Sequence, residues 1–438
     1  MAVAKTYHLV TLGCPKNEVD SEHFERLLVG HLQPAADPES ADAIIVNTCG
    51  FIEASQRESL EVIRTLAAKK RPGQRLIVAG CLTQIAGDRV RAEAPGVDHV
   101  FGVGQWVQVA RLLEVDAEAV YDIPDTPARL RGPSAYLKVA DGCDAPCTFC
   151  VIPRIKGRFR SLPLGALVRE AQRLVEAGAR EIVLVAQDTT AWGEDFGFAP
   201  GKGLPGLLRA LSEAVGEDVW LRIMYAYPSR VTPELVQAMA ELPNVVKYLD
   251  VPLQHGSPAV LRRMRRPHNL EKTFAMVRML REAMPDIVLR TSLIVGFPGE
   301  TDEEFAELEQ FVRAIEFDHV GVFTYSRQPH TPAHDLPDQV PERVKVMRRE
   351  RLMRIQRRIA ARRARTFIGR ELDLLVEGSG EDEDGRPVVA GRTYREAPEV
   401  DGLVIAYGRA EAGERVRVRI EAAGDYDLFG RLAEESAS

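Results

Sequence analysis

Short apolar runs alternate with amphipathic stretches along the chain from its first residues. Residues 7–12 form a β-rich run, and residues 21–29 then place Phe24, Leu27 and Leu28 on one helical face. The runs AIIV (43–46) and LIVA (76–79) read as two further strands, with a helix over 58–68 between them. This βαβαβ rhythm predicts a parallel sheet with helical crossovers. A second series predicts strands over 135–139, 182–186, 219–224, 246–250, 288–294 and 320–324, with helices over 164–177, 205–215, 233–242, 270–283 and 303–315. Six strand–helix units suggest a full or partial (β/α) barrel of the TIM type, whose chemistry sits at the carboxyl ends of the strands. Residues 341–365 contain strong helix formers and no Gly or Pro after Pro341, so they predict one long connecting helix. Short β runs at 371–376, 387–390, 402–407 and 415–420, separated by Gly and acidic turns, predict a small antiparallel β-barrel. The fold class is therefore multidomain α/β. It divides into an N-terminal parallel α/β domain (1–121), a linker rich in Pro and charge (122–133), a central barrel with its long helix (134–365) and a C-terminal β-barrel (366–438).

Composition adds little until it is read by segment. Of 438 residues, 45% are apolar and 28% charged, ordinary for a soluble globular protein. The N-terminus MAVAKTYHLV lacks the basic stretch and apolar core of a signal peptide. No apolar run approaches the ~20 residues of a membrane span, so a cytoplasmic protein with no membrane partner is expected. The net charge of −7 argues against a general nucleic-acid binder. That average conceals a dipolar tail. Residues 342–365 carry eleven Arg or Lys against two Glu, a net of +9, whereas residues 366–438 carry nine Arg against seventeen Asp or Glu, a net of −8. The shift marks a boundary near Thr366. The basic helix suits a solvated face and a phosphate-facing one equally.

The six cysteines change the picture most. Cys14, Cys49 and Cys81 each follow a predicted strand, in TLGC, VNTC and VAGC. Parallel strands share a direction, so all three thiols are expected at one carboxyl edge, where open α/β sheets bind ligands. The competing reading is three small buried hydrophobes. Cys143, Cys147 and Cys150 lie in GCDAPCTFC, a C-x3-C-x2-C spacing. Structural zinc normally takes four protein ligands, and no fourth Cys or His is nearby. Iron–sulfur clusters are held by cysteine thiolates. A triad leaves one iron of a four-iron cluster open, so two triads suggest two reactive clusters. Reduced thiols also fit a cytoplasmic protein better than disulfides. Three other predicted strands end in polar segments: VAQDTT with Gln187 and Asp188, LDVPLQHGS with Asp250, Gln254 and His255, and IVGFPGET with Gly296 and Gly299. The glycines permit close backbone approach to a cofactor. Turn chemistry is the alternative for each segment, and His255 alone is more often structural.

The C-x3-C-x2-C motif at the first strand of a six-unit series resembles the radical S-adenosylmethionine (SAM) superfamily. TLGCPKNEVDSE, VNTCGF, VAGC, GCDAPCTFCVIPRIKGRFRS and TSLIVGFPGET, with a terminal barrel of the TRAM type, resemble the methylthiotransferases along nearly the whole chain. The resemblance implies an auxiliary 4Fe–4S cluster on Cys14, Cys49 and Cys81 and a radical SAM 4Fe–4S cluster on Cys143, Cys147 and Cys150. It implies SAM as methyl donor and as radical source, with Phe149, Gln187, Asp188, Asp250, Gln254 and Gly296 as candidate SAM contacts. No catalytic side chain beyond these is assigned. AYPSRVTPELV, KYLDVPLQHGSPAVLRRMRRP, GVFTYSRQPHTPA and YREAPEVDG look like the RimO branch, which modifies an aspartate β-carbon of small-subunit ribosomal protein 12, free or in the ribosome. That branch implies an external electron donor and a sulfur donor. An acidic terminal barrel suits a basic ribosomal protein better than tRNA, and residues 392–401 are the candidate recognition surface. The alternative substrate is an adenosine near the tRNA anticodon. The reaction further requires the two cysteine triads to face one another across one cavity.

Overall fold

The computed structural model describes residues 4–116, 130 and 132–433. The expected linker over 122–133 falls almost wholly outside the described residues. The first domain comprises β1 (Thr6–Thr11), α1 (Pro15–Leu28), β2 (Gln33–Pro34), β3 (Ala43–Thr48), α2 (Glu53–Lys69), β4 (Arg75–Gly80), α3 (Cys81–Glu93), β5 (His99–Val100) and α4 (Trp106–Leu112). Its strands form a parallel sheet in the order β2-β1-β3-β4-β5. Every residue of β3 is buried, because helices cover both faces of the sheet. Phe24 of α1 stacks on Trp106 of α4 on one side, and Leu60 and Ile63 of α2 fill the other.

The central domain contains β6 (Ser134–Lys138), β7 (Ala140–Asp141), α5 (Ile152–Ile155), β8 (Arg160–Ser161), α6 (Leu164–Glu176), β9 (Glu181–Val185), α7 (Leu204–Val215), β10 (Trp220–Ile223), α8 (Pro233–Glu241), β11 (Val245–Asp250), α9 (Pro258–Arg263), α10 (Leu270–Ala283), β12 (Val288–Val295), α11 (Asp302–Ile315), β13 (His319–Thr324) and α12 (Glu342–Arg365). Its six long strands pair in parallel in the order β13-β12-β11-β10-β9-β6. The sheet curves without closing, so the barrel is partial. Ile182, Leu184, Leu221, Ile223, Leu249 and Leu289 pack outward on the helices. The alternate residues Val183, Val185, Trp220, Val246, Tyr248 and Val288 face the concave side.

The third domain comprises β14 (Glu371–Glu381), β15 (Pro387–Arg392), β16 (Val404–Tyr407), β17 (Arg415–Ala423) and β18 (Leu428–Leu432), closed in the order β14-β15-β16-β18-β17. Five strands in a ring cannot all alternate in direction. Four pairings are antiparallel, as expected, and β16–β18 is parallel.

The third domain fills part of the concave side of the partial barrel. At the amino ends of the strands, Leu375, Tyr394 and Ala397 of the third domain join the apolar cluster of Val183, Trp220 and Tyr248. Arg392 donates to Glu181 (2.7 Å) and to Ser134 (2.6 Å), the first residues of β9 and β6, while Arg222 donates to Glu181 (2.7 Å) and to the Tyr394 carbonyl (2.8 Å). Asp401 accepts from the Tyr248 hydroxyl (2.6 Å) and lies 3.4 Å from both Arg290 and His319. Arg392, Thr393, Arg395 and Glu396 are nearly or fully buried. Most of the segment expected to be a recognition surface is packed into the barrel as a plug, while Glu399 and Val400 remain exposed. Its buried charges find partners, chiefly on the barrel floor, which is the condition for burying them.

Candidate functional site

Each N-terminal cysteine stands at a strand end. Cys14 precedes α1, Cys49 follows β3 and Cys81 opens α3. Parallel pairing therefore brings the three loops to one edge, and side chains stitch them together. The Asn17 amide donates to the carbonyls of Leu12 (2.8 Å) and Thr48 (3.1 Å), and the Cys81 thiol donates to the Asn17 side-chain oxygen (3.7 Å). Ser59 accepts from the Cys49 amide (3.1 Å) and donates to its carbonyl (3.0 Å). Gly13 has φ +103°, and a Cβ there would lie 2.6 Å from Cys49 Cβ and 2.8 Å from its sulfur. Only glycine lets the Cys14 loop pass so close to Cys49.

The central triad sits on the loop after β7. Gly142 (φ +76°) lets that loop cross the Arg158 carbonyl, which a Cβ would meet at 2.1 Å. The Ala145 amide points at the Cys143 sulfur (3.4 Å), and Arg266 points at the Cys147 sulfur (3.7 Å). Thr148 is tied to the carbonyls of Met264 (3.1 Å) and Arg263 (2.9 Å).

All six thiols are free of disulfides. Burial pushes Cys81 and Cys150 each up to about 12 and raises Cys49 and Cys143 as well. Such thiols ionise only when a bound cation offsets the lost hydration. Among the described residues, no three His, Cys, Asp or Glu side chains converge tightly enough to chelate a single ion. A four-iron cluster engages each thiolate through a different iron and needs its ligands spread around it. Two sets of buried or half-buried thiols, with backbone and guanidinium donors aimed at the sulfurs of the central one, fit such clusters.

The segments that carry the two triads meet at the domain seam. Cys81 shares an apolar cluster with Val151 and Ile155, the first of which follows Cys150 directly. Asp20 of α1 accepts from Lys138 at the end of β6 and from Lys156 (2.8 Å), and Asp141 lies within 3.5 Å of both amines. Burial opposes the charge on Asp20, yet the two ammonium groups outweigh it and hold the carboxyl well below the usual range. Gln56 of α2 also donates to Gln328 beyond β13 (2.8 Å).

The remaining candidates divide. Asp188 and Cys143 line one cavity of about 500 Å³ with Arg158, Phe159, Glu194 and Arg230. Asp188 accepts from Thr190 (2.6 Å) and Arg230 (3.1 Å), and burial raises its pKa. Gln187, beside it, has a buried side-chain oxygen with no hydrogen-bond partner. Gln254 holds φ +74° and bridges β12 through its main chain. Three candidates are engaged elsewhere. Phe149 packs on Val260, Met264, Phe297 and Tyr325. Asp250 is fully buried and taken up by Arg290 (2.9 Å) and the Tyr225 amide (3.2 Å). Gly296 makes room for Lys345, whose Cγ would lie 2.3 Å from an added Cβ. His255 is buried and accepts from the Ser257 amide (2.9 Å), a structural role.

Lys16, Asp20 and Arg266 were not anticipated as site residues. Lys16 alone left a signal, a cation in the first turn of a helix, where the macrodipole disfavours one.

Family models match three stretches of the chain: the radical SAM superfamily over residues 137–312, an uncharacterized protein family (UPF0004) over 6–102, and the TRAM domain over 368–433. A "Ribosomal protein uS12 methylthiotransferase RimO" from Herpetosiphon aurantiacus is 44% identical over 97% of this chain and 99% of its own length. One of the same name from Chloroflexus aurantiacus is 45% identical over 97% and 99%. The chain belongs to the RimO family. As a RimO-family radical SAM methylthiotransferase it uses SAM and 4Fe–4S clusters. Among solved structures, the radical SAM methyltransferase TsrM from Kitasatospora setae matches with a TM-score of 0.58 over 75% of this chain and 77% of its own. At 16% identity, that likeness supports the fold alone. No helix among the described residues of this RimO-family chain is long and apolar enough to cross a membrane.

Proposed function

We propose that this RimO-family enzyme methylthiolates the β-carbon of an aspartate in ribosomal protein uS12. In this reading Cys143, Cys147 and Cys150 hold the cluster that engages SAM, and Cys14, Cys49 and Cys81 hold the auxiliary cluster. The contact of Cys81 with Val151 and Ile155 carries the reading, because it sets the two triads against one seam. When bound, the clusters and two SAM molecules supply a hydrogen-abstracting radical and the methylthio group that replaces the hydrogen. An aspartate β-carbon has no proton acidic enough for acid–base chemistry, which is why a cofactor must do this work.

The chain's own residues orient and shield. Arg266 directs its guanidinium at the Cys147 sulfur. Asp188 and Gln187 sit beside the cavity that Cys143 lines, where an amino group would find acceptors. The salt links from Asp20 to Lys138 and Lys156 clamp the first domain over the carboxyl ends of the strands. The acidic third domain complements a basic ribosomal protein. The reading also requires an external electron donor and a sulfur donor, and places the enzyme in the cytoplasm.

Anaerobically reconstituted protein, given SAM and dithionite, should add one methylthio group to uS12 by mass spectrometry. Modification of tRNA alone, offered in parallel, would refute the proposal. Converting either triad to alanine should remove about half the iron, since each triad would hold one of two four-iron clusters.

A further inference from the structure

Three lysines converge on the seam between the triads, and only two have acidic partners. Lys138 and Lys156 are matched by Asp20 and Asp141. Lys16, two residues beyond Cys14, is 9% exposed. Its ammonium sits 3.7 Å from the centroid of the Tyr225 ring, and among the described residues no Asp or Glu pairs with it. Arg266 also lacks a carboxylate, but it is occupied by the Cys147 sulfur (3.7 Å) and the Pro252 carbonyl. Lys16 has the Tyr225 side chain and the neighbouring Cys14 beside its tip, and neither is a carboxylate.

Burying an ammonium without a carboxylate is costly, and here Tyr225 and the adjacent Cys14 offset that cost. Its position at the second residue of α1 adds an unfavourable interaction with the helix dipole. The site is nonetheless built with care. Tyr225 holds φ +61°, unusual for a residue with a side chain, and Asp250 fixes it through the Tyr225 amide (3.2 Å). Strain of this kind persists where a surrounding structure over-determines it, and here it presents the ring to Lys16 from the carboxyl end of β10.

The proposed reaction supplies a carboxylate. The β-carbon of an aspartate carries the carboxylate directly, so a β-carbon brought beside the auxiliary triad brings its carboxylate too. Hydrogen removal and methylthio addition leave that carboxylate charged throughout. We propose that Lys16 binds the carboxylate of the target aspartate and so fixes its β-carbon beside Cys14, Cys49 and Cys81. The inference rests on uS12 being the substrate. It makes Lys16 a specificity-determining residue, one that separates aspartate from its neutral isostere asparagine.

The test uses reconstituted full-length enzyme with SAM and no reductant, so that binding is read without turnover. Dissociation constants are measured for uS12 and for uS12 carrying Asn at the target position. Wild type should prefer the aspartate form by ~30-fold or more, as expected for a desolvated charge pair. Lys16→Met, which keeps the apolar stem, should lose that preference with iron content unchanged, and Lys16→Arg should recover most of it. A Lys16→Met enzyme that still discriminates, a wild type that does not, or Met and Arg variants that lose both ligands alike would overturn the inference. Failure of wild type to methylthiolate uS12 once reductant is added would instead overturn the substrate assignment.

Discussion

Replacing Glu181 by Gln should loosen the C-terminal barrel from the central domain. Glu181 is fully buried, and its carboxylate accepts from Arg222 (2.7 Å) on one oxygen and from Arg392 (2.7 Å) and Ser134 (2.7 Å) on the other. Burial alone would raise its pKa, but the two guanidinium groups win and hold the carboxyl at about 2, against an ordinary 4.5. That difference is worth ~3 kcal/mol. Removing one partner of a buried ion pair costs a similar amount, about 3–5 kcal/mol. The amide keeps the shape, so the loss is electrostatic and leaves two arginines, each almost wholly enclosed, sharing a neutral group. Hydrogen exchange across residues 392–401 is the direct assay, because those amides exchange when the plug opens. Exchange should quicken by ~100-fold. A variant also carrying Arg392→Met should recover part of the loss, since it removes one of the two buried cations that Glu181 had balanced. Exchange within about threefold of wild type in a folded Glu181→Gln protein would refute the view that this cluster secures the domain.

The same carboxylate predicts an acid limit. Its folded pKa lies below its unfolded one, so its stabilisation is complete above about pH 4.5 and fades as pH falls toward 2. Trp220, packed beside the plug, should report this by fluorescence in cluster-free protein, and Glu181→Gln should flatten the profile. Gly13→Ala forces a side chain onto Cys49 at a strained φ and should cost about half the iron, with SAM cleavage retained. Gly73→Ala, also at positive φ but with nothing within 4 Å, should leave iron content unchanged. Asp20→Asn leaves Lys138 and Lys156 with Asp141 alone and should destabilise the domain seam by ~3 kcal/mol, seen as faster proteolysis between the first two domains.

The strand-end cysteines were legible because βα periodicity and parallel pairing place thiols without any long-range information. Domain order was legible for the same reason. The plug was not. Arg392, Arg395, Glu396 and Asp401 carry charge in an aperiodic stretch, and such residues are usually exposed. Their burial depends on Glu181, Arg222, Arg290 and Tyr248, all distant in sequence. Gly296 shows a related limit. A glycine at positive φ reveals that something approaches closely, but only the fold shows that the neighbour is Lys345. The arginine-rich helix resolved in part toward structure, with Arg348 joined to Glu300 and Asp302 and Arg363 joined to Asp318. Lys16 went unremarked in the sequence, and its lack of an acid is a fact of three dimensions.

The plug also imposes an order on biosynthesis. Chains emerge from the ribosome amino end first and fold domain by domain. Glu181 and Arg222 are made long before Arg392, so the barrel's strands appear while the lower half of its interior is still untranslated. The enzyme's middle domain is thus completed by its last one. A nascent chain stalled near Thr366 would hold both cysteine triads and still lack the floor beneath them. Closure of that floor on Glu181 waits until the residues around Arg392 have been made.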